Sequence, residues 1–94
     1  MKLDPEAYGS ALVDGYLQVA DRYNQGGQLD KYIEHLAMAV DESPQTTSLH
    51  LKLGNAFEDA RKYENAVQQW RLVLDLEPDH PERTRLLNLI RKHS

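Results

Sequence analysis

The apolar side chains of this chain recur at a fixed spacing of 34 residues, the distance that separates residue 13 from residue 47. The stretches 13–46 and 47–80 share one template. The matched pairs are Leu17 and Leu51, Val19 and Leu53, Tyr23 and Phe57, Ile33 and Val67, Leu36 and Trp70, Ala39 and Val73, Val40 and Leu74, and Pro44 and Pro78. Few of these pairs are identical, so the recurrence lies in the apolar register. Such a period predicts stacked supersecondary units, each too small to bury its apolar face alone.

The composition is that of an ordinary globular protein. The chain has 94 residues, of which 40% are hydrophobic and 28% charged, and this favours a single folded domain. It has no cysteine, which excludes disulfides, thiol nucleophiles and thiolate metal sites. No run approaches the roughly 20 apolar residues that a membrane span requires, and residues 1–12 lack the apolar core of a secretory signal. We therefore expect a soluble, cytoplasmic protein without membrane insertion.

The net charge of −4 is unevenly distributed along the chain. Residues 81–94 hold four cations and one acid, a net +3, which leaves −7 on residues 1–80. A nucleic-acid-binding protein usually carries a wide basic face. Here the cations sit on one short terminal segment, where they complement a helix C-terminus. The charge pattern therefore predicts that nucleic acid is not a partner.

Start and stop signals divide the chain into five helices, and no stretch alternates with the period of a strand. The first begins at Asp4-Pro5-Glu6 and ends at Gly26-Gly27, with a break near residue 10 left open because Gly9 and Gly15 weaken it. The other four are bounded by the turns 26–28, 43–46, 60–62 and 77–81. Their stripes at helical spacing are Leu29, Tyr32, Ile33, Leu36, Ala39 and Val40; Leu49, Leu53, Ala56, Phe57 and Ala60; and Tyr63, Ala66, Val67, Trp70, Val73 and Leu74. This is an all-α pattern.

The stretch 47–80 places particular residue types at particular points of the template. They are His50, Leu53-Gly54, Phe57, Ala66, Trp70 and Pro78. The corresponding residues of 13–46 match the pattern less closely and are Tyr16, Val19-Ala20, Tyr23, Tyr32, Leu36 and Pro44. In this the chain resembles the tetratricopeptide repeat (TPR) family. The resemblance implies a TPR-like α-solenoid in a single domain, residues 1–94: two antiparallel helix hairpins, 13–46 and 47–80, and a capping helix, 81–93. Two unrelated hairpins in an ordinary bundle remain the alternative.

The small residues of the pattern have an expected packing role. Gly54 and Ala20 would let the first helix of each hairpin approach the second, and Ala66 would meet Gly54 from the other side. Arg61 stands in the turn between the helices, where the family often has glycine. The fifth helix should turn Ile90 toward the repeat before it and expose Asn88 and Arg91.

The resemblance also implies a concave groove, lined by the first helix of each hairpin, that receives an extended or helical peptide. The groove residues that we expect are Leu17, Gln18 and Asp21 on the first helix, Leu51, Lys52, Asn55 and Glu58 on the third, and Arg85, Leu86, Leu89 and Lys92 on the fifth. Leu17, Leu51 and Leu89 would anchor the peptide, although single exposed leucines are also common without any function. The family's clamp for a terminal carboxylate is not expected, because Asp21 and Glu82 stand where it needs neutral or cationic donors.

No catalytic or metal-binding pattern is present. The four histidines do not pair at metal-ligand spacing; His50 should be packed and hydrogen-bonded, His35 solvent-facing, and Trp70 part of the core. The sequence therefore predicts a non-enzymatic protein–protein interaction module, an adaptor or scaffold without cofactors. The alternative is a self-associating scaffold or assembly factor, or a fragment of a longer array, that docks head to tail through Tyr8 and Leu12.

Overall fold

The computed structural model describes residues 5–94, with side chains from residue 11 onward. It contains five helices: α1 (Pro5–Gln25), α2 (Leu29–Glu42), α3 (Thr47–Asp59), α4 (Tyr63–Leu76) and α5 (Arg83–His93). Within this part of the chain there are no strands, so the all-α fold class is confirmed. The helices form two compact units, Met1–Pro44 with α1 and α2, and Gln45–Ser94 with α3, α4 and α5.

The ends of the helices follow the predicted signals. Helix α1 is continuous from Pro5 to Gln25, so the break considered near residue 10 is wrong, and the proposed cap at Asp4 lies outside the described residues. Helices α2 and α4 end one residue before Ser43-Pro44 and Glu77-Pro78. Proline disfavours the helical conformation in the residue that precedes it, which accounts for both ends.

The two hairpins turn in the same way. In the first, the Gln28 N–H donates to the Tyr23 carbonyl (2.8 Å) and the Gly27 N–H to that of Asn24 (3.1 Å); in the second, Lys62 donates to Phe57 (2.8 Å) and Arg61 to Glu58 (2.9 Å). This pair of bonds defines a Schellman motif, which places one residue in the left-handed region. That residue is Gly27 in one hairpin (φ 74°) and Arg61 in the other (φ 61°). The 34-residue period is thus present in the backbone.

In the first unit α1 packs against α2. Among the described side chains of this hairpin, the buried ones are Ala20 on α1 and Ile33, Leu36 and Ala39 on α2, which are small and apolar positions of the predicted stripes. His35 was expected to face solvent, and it is partly exposed, with its Nδ1 2.9 Å from the Lys31 carbonyl oxygen at an exposed position. Its ring also lies 5.1 Å from the ring of Tyr23 on α1, measured between centroids.

In the second unit α4 lies between α3 and α5 and packs against both. The core consists of Ala66, Val67, Trp70, Val73 and Leu86. The indole of Trp70 is completely buried in it. The expected close approach at Gly54 is confirmed: a Cβ there would lie 2.7 Å from Trp70 Nε1 and 2.8 Å from Trp70 Cδ1. Only glycine lets α3 come this near to the indole.

Helix α5 covers the core through its apolar side. Leu86 is fully buried, Ile90 packs against the core cluster, and Asn88 and Arg91 are exposed, as predicted. The expectation that Leu86 lines the groove is wrong, because its side chain is fully buried. Leu86 corresponds by the period to the exposed Lys52, but α5 packs on α4 and turns its leucines toward that helix.

Candidate protein-binding surface

Helix α3 has one polar side that runs along its whole length. Ser48, Lys52, Asn55 and Asp59 follow each other at spacings of three and four residues, which places them on one face of a helix. We call these four residues the α3 strip. Ser48, Lys52 and Asp59 are exposed and Asn55 is half-buried. The side is free because the core of this unit is reached from the opposite side of α3, where His50, Leu53 and Gly54 are buried.

His50 anchors that opposite side. It is 4% exposed, and its Nδ1 lies 2.7 Å from the Oε1 of Gln69 on α4. The prediction of a packed and hydrogen-bonded histidine is therefore confirmed. Together with the contact at Gly54, this bond fixes the rotation of α3 about its own axis, and it leaves Ser48, Lys52 and Asp59 exposed.

Asn55 connects the α3 strip to the core. Its Oδ1 accepts a hydrogen bond from the indole Nε1 of Trp70 over 3.3 Å. The indole N–H is a donor only, so it requires an oxygen at this point. Sequence reasoning did assign Asn55 to the groove and Trp70 to the core, but it missed the bond between them, because the period aligns positions and carries no information on side-chain contacts.

The two leucines expected as anchors in this unit have a structural use. Leu51 and Leu89 are half-buried, and both pack against the core cluster formed by α4 and α5. Burial of apolar surface accounts for their presence without any ligand. Neither leucine is among the exposed large hydrophobic residues of the described part of the chain.

The remaining expected site residues lie on two other helices. On α1, in the first unit, Leu17 is half-buried while Gln18 and Asp21 are exposed. On α5, Arg85 is exposed and its guanidinium Nη1 lies 3.1 Å from Oε1 of Glu82, and Lys92 is exposed. Glu58 on α3 is half-buried beside the α3 strip.

A concave region lies between α4 and α5. Its volume is about 430 Å³, and it is lined by Glu64, Val67, Gln68, Arg71, His93 and Ser94. At its edge the ring of His93 stacks on that of Tyr63, with 4.1 Å between centroids and 6° between planes. The sequence offered no signal for this pairing, because the two residues do not share a stripe or a repeat position.

Neither a scan of the chain against protein-family models nor a search of curated proteins gives a match. Among the residues with described positions, no group of three or more histidine, aspartate or glutamate side chains is arranged to hold a metal ion. Over the same part of the chain, no helix combines the length and apolar character that crossing a bilayer requires.

Proposed function

We propose that this chain is a TPR-like helical-repeat module that binds a segment of another protein along the outer sides of its first helices, without catalysis. The observation that carries the proposal is the recurrence of one hairpin. Two 14-residue helices, α2 and α4, begin and end 34 residues apart, and each follows the same Schellman turn. Each hairpin presents the outer side of its first helix, and a helix face of this kind can hold a segment of another protein.

The polar character of the expected binding side supports the proposal. Gln18 and Asp21 on α1 hold the same repeat positions as Lys52 and Asn55 on α3; Gln18, Asp21 and Lys52 are exposed, and Asn55 is half-buried. Recognition would rest on hydrogen bonds and charge from these residues, with Leu17, Leu51 and Leu89 as bordering apolar surface. Extended and helical segments are both recognised by such faces in proteins.

The test is selection of random dodecapeptides displayed on phage against the immobilised chain, followed by calorimetry with a synthetic selected peptide. Lys52→Glu should weaken binding about tenfold or more, because it places a carboxylate where the ligand meets a cation. Lys62→Glu is the matched control: it makes the same charge change at an exposed residue of the turn after α3, outside the α3 strip, and should leave affinity unchanged. Equal effects of the two variants, or no peptide with measurable affinity, would refute the proposal.

Self-association is the second candidate, and the charge distribution favours it. Arg91 and Lys92 are exposed on α5 and make no ion pair within the described residues, while residues 1–80 carry a net −7. A head-to-tail contact between copies would bring these opposite charges together. Of the two residues expected to form the docking surface, Tyr8 has a side chain that lies outside the described part of the chain. Light scattering over a concentration series should then show association that weakens with salt, since screening reduces contacts between exposed charges. A mass that stays monomeric throughout would rule this candidate out.

A further inference from the structure

We infer that the imidazole of His80 is a pH-sensitive cap on α5, which holds the start of this helix when it is neutral and releases it when it is protonated. The device is independent of the proposed binding function. It depends on a hydrogen bond in which the histidine ring is the acceptor: the backbone N–H of Glu82 donates to Nδ1 of the half-buried His80 over 3.0 Å. We call this bond the His80 cap.

The direction of the His80 cap fixes the protonation state of the ring. A backbone N–H is always a donor, so Nδ1 must be unprotonated and the proton of the neutral imidazole is on Nε2. Two other histidines have the opposite polarity: Nδ1 of His35 lies 2.9 Å from the Lys31 carbonyl oxygen, and Nδ1 of His50 lies 2.7 Å from Gln69 Oε1. A protonated ring could keep either of these bonds, because both partners are oxygens. In His80 the bond would be lost.

His80 supplies two acceptors to the beginning of α5. Its backbone carbonyl accepts the N–H of Arg83 over 2.9 Å, and its ring accepts that of Glu82. The N-cap residue itself, Glu82, makes no capping hydrogen bond through its side chain, while its carbonyl accepts the N–H of Leu86 over 2.9 Å. A helix of 11 residues is marginally stable on its own. Helix α5 therefore depends on these bonds and on the burial of Leu86 against α4.

The ring has no ion-pair partner, within the described residues, that would favour its charged form. The charged residues nearest in the chain are Asp75 at the end of α4, Glu77 and Asp79 in the turn, and Glu82, Arg83 and Arg85 at the start of α5. None of them forms an ion pair with the imidazole. The carboxylate of Glu82 is engaged by Arg85, whose Nη1 lies 3.1 Å from its Oε1.

Protonation of His80 therefore acts against α5 in two ways. Both nitrogens of an imidazolium are donors, so Nδ1–H would face the Glu82 N–H and leave this backbone donor without an acceptor. The new positive charge would also lie at the N-terminal end of the helix, where the macrodipole disfavours cations. Imidazole is the side chain that ordinarily changes its charge between about pH 5 and pH 8. Because the folded unit takes up this proton less readily than the unfolded chain, its stability should fall as the pH is lowered through this range.

Release of α5 would expose apolar surface at a defined place. Leu86 is fully buried and belongs to the same cluster as Trp70 and Val73 of α4, and Ile90 packs against this cluster. Loss of the first turn of α5 would withdraw Leu86 and uncover that side of α4. The His80 cap thus couples mild acidification to the exposure of an apolar face on the second unit.

The His80 cap is tested directly by NMR of the ¹⁵N-labelled chain. At the upper end of the pH range the ring nitrogens of His80 should show the tautomer with its proton on Nε2. When the pH is lowered, the amide proton of Glu82 should move upfield with the same midpoint as the ring, because it loses its acceptor. A neutral ring with its proton on Nδ1, or a Glu82 amide that does not follow the titration of the ring, would overturn the inference.

The consequence for stability is tested with His80→Asn, which keeps an oxygen acceptor that does not become protonated. Urea unfolding followed by Trp70 fluorescence reports the second unit at about pH 8 and about pH 5. On acidification, the unfolding equilibrium constant should rise about tenfold more in the wild type than in His80→Asn. Each protein is compared with itself at two pH values, so a general loss of stability in the variant does not affect this comparison.

The matched control is His93→Asn, the same change at the other end of α5. The ring of His93 stacks on Tyr63 and makes no hydrogen bond within the described residues, so the loss of stability in acid should persist in this variant. An acid response that is equal in the wild type and His80→Asn, or one that disappears in His93→Asn, would refute the assignment of the device to His80.

Discussion

The close approach of α3 to Trp70 on α4 makes a sharp prediction about Gly54. In Gly54→Ala the new methyl group would lie 2.7 Å from Trp70 Nε1 and 2.8 Å from Trp70 Cδ1, and 3.3 Å from the Cβ of Gln69. Carbon atoms normally approach to about 3.5 Å, so the indole or α3 must move. The indole cannot move freely, because it is completely buried and its N–H is bonded to Asn55.

Two opposing effects set the magnitude for Gly54→Ala. Overpacking of a core costs about 1–3 kcal/mol, and alanine favours the helix over glycine by about 1 kcal/mol. Because two ring atoms are affected and the ring is confined, we place the strain in the upper half of its range and expect a net loss of about 1–2 kcal/mol. For a domain of this size the melting temperature should fall by about 4–16 °C.

The control for Gly54→Ala is Gly15→Ala. Gly15 is also inside a helix, but no atom lies within 4 Å of the point that the added methyl group would occupy, so only the helix preference acts and stability should rise by about 1 kcal/mol. Urea unfolding followed by far-ultraviolet circular dichroism reports all helices, and the fluorescence of Trp70 reports the second unit. If both variants are stabilised alike, α3 and α4 do not approach each other this closely.

The turns and α5 give the remaining predictions. Arg61→Gly should stabilise the chain by about 1 kcal/mol because it relieves a left-handed φ of 61°, and Gly27→Ala, at a φ of 74°, should destabilise it by about 1–2 kcal/mol; thermal unfolding of the pair checks both signs. Leu86→Ala should cost about 2–5 kcal/mol as a fully buried truncation. Leu72 is exposed, and Leu72→Ala should change the free energy of unfolding by about 0.5 kcal/mol or less, measured by urea unfolding. Equal losses of unfolding free energy in Leu86→Ala and Leu72→Ala would contradict the burial of Leu86 against α4.

Most of the local structure could be predicted from the sequence, because it depends on signals that lie within a few residues of each other. Prolines at 44 and 78 limit α2 and α4, the glycine pair 26–27 ends α1, and the apolar stripes identify the buried sides. The break considered in α1 was wrong. The two glycines destabilise the helix by less free energy than the packing of its continuous apolar stripe contributes to its stability.

The contacts between side chains of different helices were harder to predict from the sequence. The role of Gly54 followed from its size and position, but the bond from Trp70 to Asn55 joins side chains 15 residues apart on different helices. The stacking of Tyr63 on His93 depends on how α5 lies across α4. Leu86 was misplaced for the same reason: the period predicts that α5 repeats α3, whereas its actual orientation depends on which neighbouring surface is available to bury it.

The burial of Leu51 and Leu89 changes which residues any binding experiment should target. Both leucines pack against the core of their unit, so glutamate at either position would put a charge next to apolar groups and destabilise the fold whether or not a ligand binds there. A loss of binding in such a variant would therefore be uninformative. Lys52 and Asn55 do not have this defect, because the α3 strip is polar and Asn55→Asp retains the oxygen that Trp70 requires. A binding function for this chain should consequently be sought in variants that alter the donors of α3 and leave its leucines intact.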